Sequence, residues 1–285
     1  MIVKNFWELF HLYFSKTTFF ACKGYFMKFY EASYQNLLDR IKASKILYVD
    51  ETPFSLKLSK GYIWVITNGK EVVSIYQPNR EAGFIKEFLK HFNGVLVTDF
   101  YSGYDGLNCD QQKCLIHLMR DMNTDLVRNP FNEEFKELSK AFTVLLKRIV
   151  ETIDRFGLKR YFLKKYVREA GAFFSRIEET IYRTEIAIKY QSRFVRNRNK
   201  LFQFLNHDNV SWNNNNAEHA IKVLAMHVNK DLNAFKETRI DDYLKIMSIY
   251  QSCKFQNVSF LKYLLSTEAT LEAYVSKNKR RINLD

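Results

Sequence analysis

The sequence predicts a mixed α/β fold: a sheet interrupted by a large, basic, all-helical insertion, with helical segments at both ends. Three observations predict it. Only 9 Gly and 3 Pro occur in 285 residues, below the usual shares of about 7% and 5%, which favours long helices with few tight turns. Short apolar runs of β type cluster between 45 and 117, and from 133 to 205 the apolar spacing is helical throughout. With 47% hydrophobic residues, 25 Phe and 17 Tyr among them, the chain has ample surface to bury in a core. Whole-chain disorder and a turn-rich all-β sandwich are both disfavoured.

Residues 1–44 read as helical, because Phe6, Leu9, Phe10 and Tyr13, then Phe26, Phe29 and Tyr30, recur every three or four residues. The run KILYVDETPF at 45–54 predicts a first strand. GYIWVITNG (61–69) and KEVVSIYQ (70–77) predict two more, joined at Asn68-Gly69, a pair that favours a tight hairpin. REAGFIKEFLKHF at 80–92 carries helical spacing, GVLVTD (94–99) reads as a buried strand, YSGYDGL as a turn or short helix, and QKCLIH (112–117) as a last strand. The early hairpin suits antiparallel pairing, and the later strands, separated by helices, suit parallel pairing. An Asn-rich turn at 213–216 then leads into a helix expected to begin near Asn215 or Asn216. Two amphipathic helices broken at Gln256-Asn257 fill 241–265, and the tail after about 270 reads as frayed.

The domain organisation that follows is an N-terminal helical segment (1–44), the first part of a core (45–132), the helical insertion (133–206), and the rest of the core with C-terminal helices (207–285). Net charge is +13, and the segment 133–205 alone holds 17 Lys and Arg against 9 Asp and Glu. A solvated helical surface accounts for such charge in general. An excess sustained over several helices favours an anionic partner, and nucleic acid is the commonest. Arg193, Arg196, Arg198 and Lys200, toward the end of this block, are its candidate DNA-contacting residues.

Two predicted strands end on aspartate, at Tyr48-Val49-Asp50 and Val97-Thr98-Asp99. Ligands gather at the carboxyl ends of strands in open α/β sheets. Carboxylates held there are hard oxygen donors of the kind Mg²⁺ takes. Glu218, in the first turn after the Asn run, completes a set of three. Three carboxylates can hold two metal ions about 3.5–4 Å apart for phosphodiester chemistry. Each acid taken singly also reads as a turn residue or a helix-start device.

Four motifs in order carry a more specific resemblance: YVDET at 48–52, TDFYSGY at 98–104, CLIHLMRD at 114–121 and NNNNAEHAIK at 213–222. Together they resemble the catalytic core of bacterial insertion-sequence transposases of the DDE type, family sixty-six, over about residues 45–265. The resemblance implies a ribonuclease-H-like fold with Asp50, Asp99 and Glu218 as catalytic and metal-holding acids. It also implies two Mg²⁺ ions, for which Mn²⁺ substitutes, and cleavage of transposon ends followed by attack of the freed 3′-OH on target DNA. His117 and Arg120 match its Cys-x-x-His-x-x-Arg and are expected near scissile or flanking phosphate. The chain departs from the pattern after the glutamate, where His219 and Lys222 stand in place of arginines. Lys222 shares a helical face with Glu218 and still offers positive charge, without the bidentate fork of arginine. The implied partners are transposon-end and target DNA, further copies of the chain on DNA, and accessory proteins of the same element. An inactive DNA-binding remnant and a structure-selective nuclease of the same fold are the alternatives. Only 44 residues precede the first strand, so end recognition is expected on another polypeptide, or the copy is truncated.

The four cysteines, Cys22, Cys109, Cys114 and Cys253, are scattered and read as free thiols of a reducing compartment. Cys109, Cys114 and His117 lack the second ligand pair usual in structural zinc sites, and Cys114 reads as a buried thiol. No apolar run reaches 18 residues, so no leader or membrane span is expected and the reading is cytoplasmic.

Overall fold

A computed structural model of the chain describes residues 13, 15–56, 59–231 and 237–282. In chain order its elements are α1 (Lys16–Lys42), β1 (Ile46–Ser55), β2 (Lys60–Thr67), β3 (Val72–Gln77), α2 (Gly83–Phe88), β4 (Val95–Thr98), a 3₁₀ turn (Ser102–Tyr104) and β5 (Asp110–Lys113). There follow α3 (Leu115–Arg128), α4 (Glu133–Phe156), α5 (Arg160–Leu163), α6 (Tyr166–Glu179), α7 (Glu185–Arg196), α8 (Arg198–Leu201) and a 3₁₀ turn (Gln203–Leu205). The last are α9 (Asn215–Asp231), α10 (Glu237–Phe255), α11 (Phe260–Leu265) and α12 (Leu271–Ile282). The fold is mixed α/β, with one five-stranded sheet in the order β3-β2-β1-β4-β5.

The chain divides into two compact units. One holds residues 1–43, 52–79 and 222–285. Its β2 and β3 pair antiparallel from Tyr62↔Gln77 to Thr67↔Val72. The turn between them has Gly69 at φ 86°, and Asn68 Oδ1 accepts from the N–H groups of Lys70 and Glu71, so the Asn-Gly pair works as its chemistry requires. The outer edge of β3 is closed by a helix. Ser252 and Ser248, one turn apart on α10 and fully buried, accept through their hydroxyls from Val72 N–H and Ser74 N–H at 2.9 Å each. These donors would otherwise offer an open sheet edge.

The other unit holds residues 44–51 and 80–221. Here β1 and β4 pair parallel from Ile46↔Val95 to Tyr48↔Val97, and β4 and β5 pair parallel from Val95↔Asp110 to Thr98↔Lys113. The helices α4 to α8 close around an aromatic core. Phe142 lies with its ring centroid 5.1 Å from Phe194 and 6.0 Å from Phe173, and Phe135 stacks on Tyr190 at 4.7 Å. Asn132 caps α4 by accepting from Phe135 N–H, and Gly157 at φ 73° ends it, as capping chemistry favours.

Four expectations need correction. The last strand is β5 at Asp110–Lys113, earlier than QKCLIH, and Leu115 to His117 begin α3. The reason is periodicity: Leu115, Leu118 and Met122 are buried at helical spacing, and a strand would have turned alternate members away from the core. Asp50 is interior to β1, because the backbone stays extended past it as far as Ser55. The helix of 80–92 contracts to Gly83–Phe88. Beyond it the chain must enter β4, and at Gly94 a Cβ would lie 2.2 Å from the Lys45 carbonyl oxygen. The tail is helical to Ile282, anchored by buried Leu271 and by Glu272, which pairs with Arg40 at 2.6 Å. The expected helical residues Phe6, Leu9 and Phe10 lie outside the described residues. Among the described residues, no helix is long and apolar enough to cross a membrane.

Candidate active site

The three acids singled out in the sequence belong to the unit built on β1, β4 and β5. Asp50 lies on β1 two residues beyond the last parallel pair, and Asp99 directly follows β4. Glu218 is in the first turn of α9. The placement of Glu218 depends on Asn214, which is fully buried. Its Nδ2 donates to Val49 C=O at 2.9 Å, its backbone N–H donates to Cys114 Sγ at 3.3 Å, and its carbonyl accepts from Glu218 N–H at 3.1 Å. One side chain thus fixes the start of α9 against the strand residue before Asp50. A second tie joins Leu115 N–H to Trp212 C=O at 3.0 Å.

The acids are electrostatically coupled. Burial raises the pKa of Asp50 from an ordinary 3.8 to about 7, helped by repulsion from Asp99, Glu51 and Glu218 and opposed by the Glu51 N–H donated to its carboxylate. Asp99 Oδ1 accepts from Tyr101 N–H at 2.9 Å, which fixes that carboxylate in an Asx-type turn. Among the described residues, Glu218 Oε1 is buried without a hydrogen-bond partner. His117 Nε2 stands 3.3 Å from it, close enough for charge attraction but outside hydrogen-bonding geometry. A carboxylate oxygen that has only this contact, in a site crowded with acids, suits a cation better than another side chain.

Glu51, next to Asp50, has the opposite environment. Arg80 reaches it with Nε at 2.8 Å and Nη2 at 2.5 Å, and Tyr104 donates its hydroxyl to Oε2. Burial raises the pKa of Glu51, while Tyr104 and Arg80 act against the rise. Arg80 also lies 4.1 Å over the Tyr101 ring, whose hydroxyl donates to the Arg80 carbonyl at 2.6 Å. Glu51 is therefore a neutralised wall of the site, and it ties β1 to the loop carrying Asp99. Sequence reading missed Glu51, Arg80, Tyr104 and Asn214. The signals available were the Asp-Glu pair in YVDET and the Asn placed four residues before Glu218.

The basic candidates are spread over distinct surroundings. Asp99, His117, Arg120 and Arg193 line one cavity of about 300 Å³ with Phe100 and Asp121. Arg193 pairs with Asp121 at 2.8 Å and lies 4.3 Å over the Phe100 ring, while Arg120 is exposed. A cavity of about 440 Å³ shares Phe100 and Arg193 and adds Lys189 and Arg196. Lys200 is held by Asp105 at 2.8 Å. Arg198 pairs with Glu178 at 2.5 Å and faces a separate cavity beside Phe174. Lys222 is exposed, one turn beyond Glu218 on α9.

Asp50, Asp99 and Glu218 offer hard carboxylate oxygens of the kind a hydrated Mg²⁺ takes, but among the described residues the three are not gathered with donor atoms within 4.8 Å of one another. Buried Cys114, whose pKa burial raises, is the nearest thiol to this set. A family model described as Transposase IS66 family matches residues 3–238, a span that contains every acid and every basic candidate described above. A comparison with curated proteins gave no match.

Proposed function

The chain belongs to the IS66 transposase family, and on that premise we propose that it is a DDE transposase cutting and joining DNA at Asp50, Asp99 and Glu218. The observation that carries the reading is the placement of Asp50 on β1, Asp99 directly after β4 and Glu218 in the first turn of α9, whose start Asn214 clamps to Val49, with burial and the neighbouring acids raising the Asp50 pKa to about 7. Folding alone does not favour such an arrangement, and a site for divalent cations does. The antiparallel hairpin joined to parallel strands, with acids on β1 and after β4, supports a ribonuclease-H-like core interrupted by the basic insertion 133–206 and resumed at 207.

In this reading Asp50, Asp99 and Glu218 would hold two Mg²⁺ ions, for which Mn²⁺ would substitute. When bound, the ions supply Lewis-acid stabilisation of the attacking and leaving oxygens of an in-line phosphodiester displacement. Tyr101 N–H holds one oxygen of Asp99 in place. Asn214 sets the position of Glu218. Arg120 and Arg193, in the cavity with Asp99, contact phosphates flanking the scissile bond, with His117 beside them. Arg196 and the other basic residues of the insertion, with Lys222, track the backbone further out, and this binding weakens with salt. The partners are transposon ends and target DNA, with further copies of the chain acting on paired ends.

The test is nicking of supercoiled plasmid with Mg²⁺ or Mn²⁺ against EDTA. The wild type should nick only with metal, and Asp99→Asn should lower the rate by on the order of a thousandfold while retaining salt-sensitive DNA binding. Wild-type protein that binds DNA but never nicks it would favour the inactive remnant. Nicking that survives Asp99→Asn would remove that residue from the mechanism.

A further inference from the structure

Where α3 and α9 begin, Cys114 Sγ, a ring nitrogen of His117 and a carboxylate oxygen of Glu218 all lie within 4.8 Å of one another. Among the described residues it is the one His, Cys, Asp and Glu cluster with donors this close. The geometry points to a second kind of metal site: Cys114, His117 and Glu218 bind one thiolate-preferring divalent ion, Zn²⁺, which withdraws Glu218 from Asp50 and Asp99.

The donors come from two short pieces of chain locked together. Cys114 is the N-cap of α3 and His117 lies one turn on, so both side chains face the same way. Glu218 sits four residues past Asn214, whose N–H donates to Cys114 Sγ at 3.3 Å. The thiol and the start of the acid's helix are therefore in direct contact. A tetrahedral ion bonded at about 2.0–2.3 Å holds its ligands within about 4 Å of each other, so small side-chain rotations close the set. Glu218 Oε1 is buried and without a hydrogen-bond partner. An entry path exists, because His117 is 25% exposed and lines the cavity of about 300 Å³ that holds Asp99.

One sulfur, one nitrogen and one oxygen donor select borderline-soft Zn²⁺ over Mg²⁺, which prefers oxygen alone. With three protein ligands the fourth position stays open to water. Binding replaces the thiol proton of Cys114 with the ion and releases that proton to solvent. Glu218 cannot orient the same carboxylate toward both sites, so Zn²⁺ competes with Mg²⁺-supported cleavage. That competition rests on the catalytic reading of Glu218; the binding of Zn²⁺ does not.

Co²⁺ added to the full-length protein is the probe, since a thiolate ligand gives it a near-ultraviolet charge-transfer band. The expected result is a band saturating at one ion, displaced by Zn²⁺, absent in Cys114→Ser and kept in Asp99→Asn. In His117→Ala the affinity should fall by at least about a hundredfold, more than an outer-sphere change costs. His117 is partly exposed, so this variant still decides the matter if Cys114→Ser fails to fold. No band in the folded wild type, a band surviving in folded Cys114→Ser, or unchanged affinity in His117→Ala would overturn the site. In plasmid nicking, Zn²⁺ should inhibit the wild type and be at least tenfold less effective on Cys114→Ser, each measured against its own uninhibited rate. Wild-type nicking indifferent to Zn²⁺ would overturn the competition. A wild type that never nicks would overturn the proposed function, while the cobalt spectrum still decides the site.

Discussion

The acid cluster and the helical block 133–205 are made from the same kinds of residues, yet treat charge in opposite ways. In the helical block several acids are paired: Glu169 with Arg148 at 2.6 Å, Glu178 with Arg198 at 2.5 Å, and Glu134, which accepts from the N–H groups of Arg183 and Thr184. Beneath those pairs lies an aromatic core that carries the stability. In the cluster, Asp50 is half-buried among Asp99, Glu51 and Glu218, and Glu218 Oε1 has no hydrogen-bond partner. The contrast sharpens within one dipeptide. Glu51 has Arg80 and Tyr104, whereas among the described residues the Asp50 carboxylate accepts only from the Glu51 N–H. Crowded negative charge opposes folding, which is why the proposed reading assigns a cation to this cluster.

The largest effect expected on stability lies in the helical block. Phe142→Ala should destabilise the protein by about 3–5 kcal/mol in urea denaturation, because its fully buried ring packs on Phe173 and Phe194. It should leave the acid site's dependence on pH unchanged. A change there would mean that the two regions are not separable.

Asp50→Asn should act in the other direction. The folded pKa of about 7 lies above the ordinary 3.8. The contribution of Asp50 to stability is therefore complete below about pH 4 and lost as pH rises through about 7. Without metal, the substitution should stabilise the protein by on the order of 2–4 kcal/mol at pH 8 and by almost nothing at pH 4. Equal effects at the two pH values would mean that Asp50 carries no unusual charge burden.

A smaller effect is expected at Arg80. Glu51 is 1% exposed but Arg80 is 43% exposed, so solvent screening tempers the loss, and Arg80→Met should cost about 1–2 kcal/mol. The loss should grow from pH 4 to pH 8 as Glu51 ionises without its partner. A loss independent of pH would make Arg80 a packing residue.

Much of this was legible in the sequence, and the parts that were not share a cause. The hairpin at Asn68-Gly69, the parallel strands and the start of α9 follow from local chemistry, and Asp50, Asp99 and Glu218 stand out in short motifs. The boundary between β5 and α3 was misread because Leu115-Ile116 is equally apolar in a strand or a helix, and only the burial of Leu118 and Met122 separates the two. The pairing of Glu51 with Arg80 and Tyr104 spans 29 and 53 residues, and the clamp of Asn214 on Val49 spans 165. Such contacts are products of topology, and no local pattern announces them.

The most direct test of the central claim is the titration of the Asp50 carboxyl, followed by carbon NMR on aspartate-labelled protein and assigned by its loss in Asp50→Asn. Without metal it should titrate near pH 7, and saturating Mg²⁺ should move it well below that, since a bound cation favours the charged form. An ordinary carboxylate midpoint that Mg²⁺ leaves in place would contradict the account.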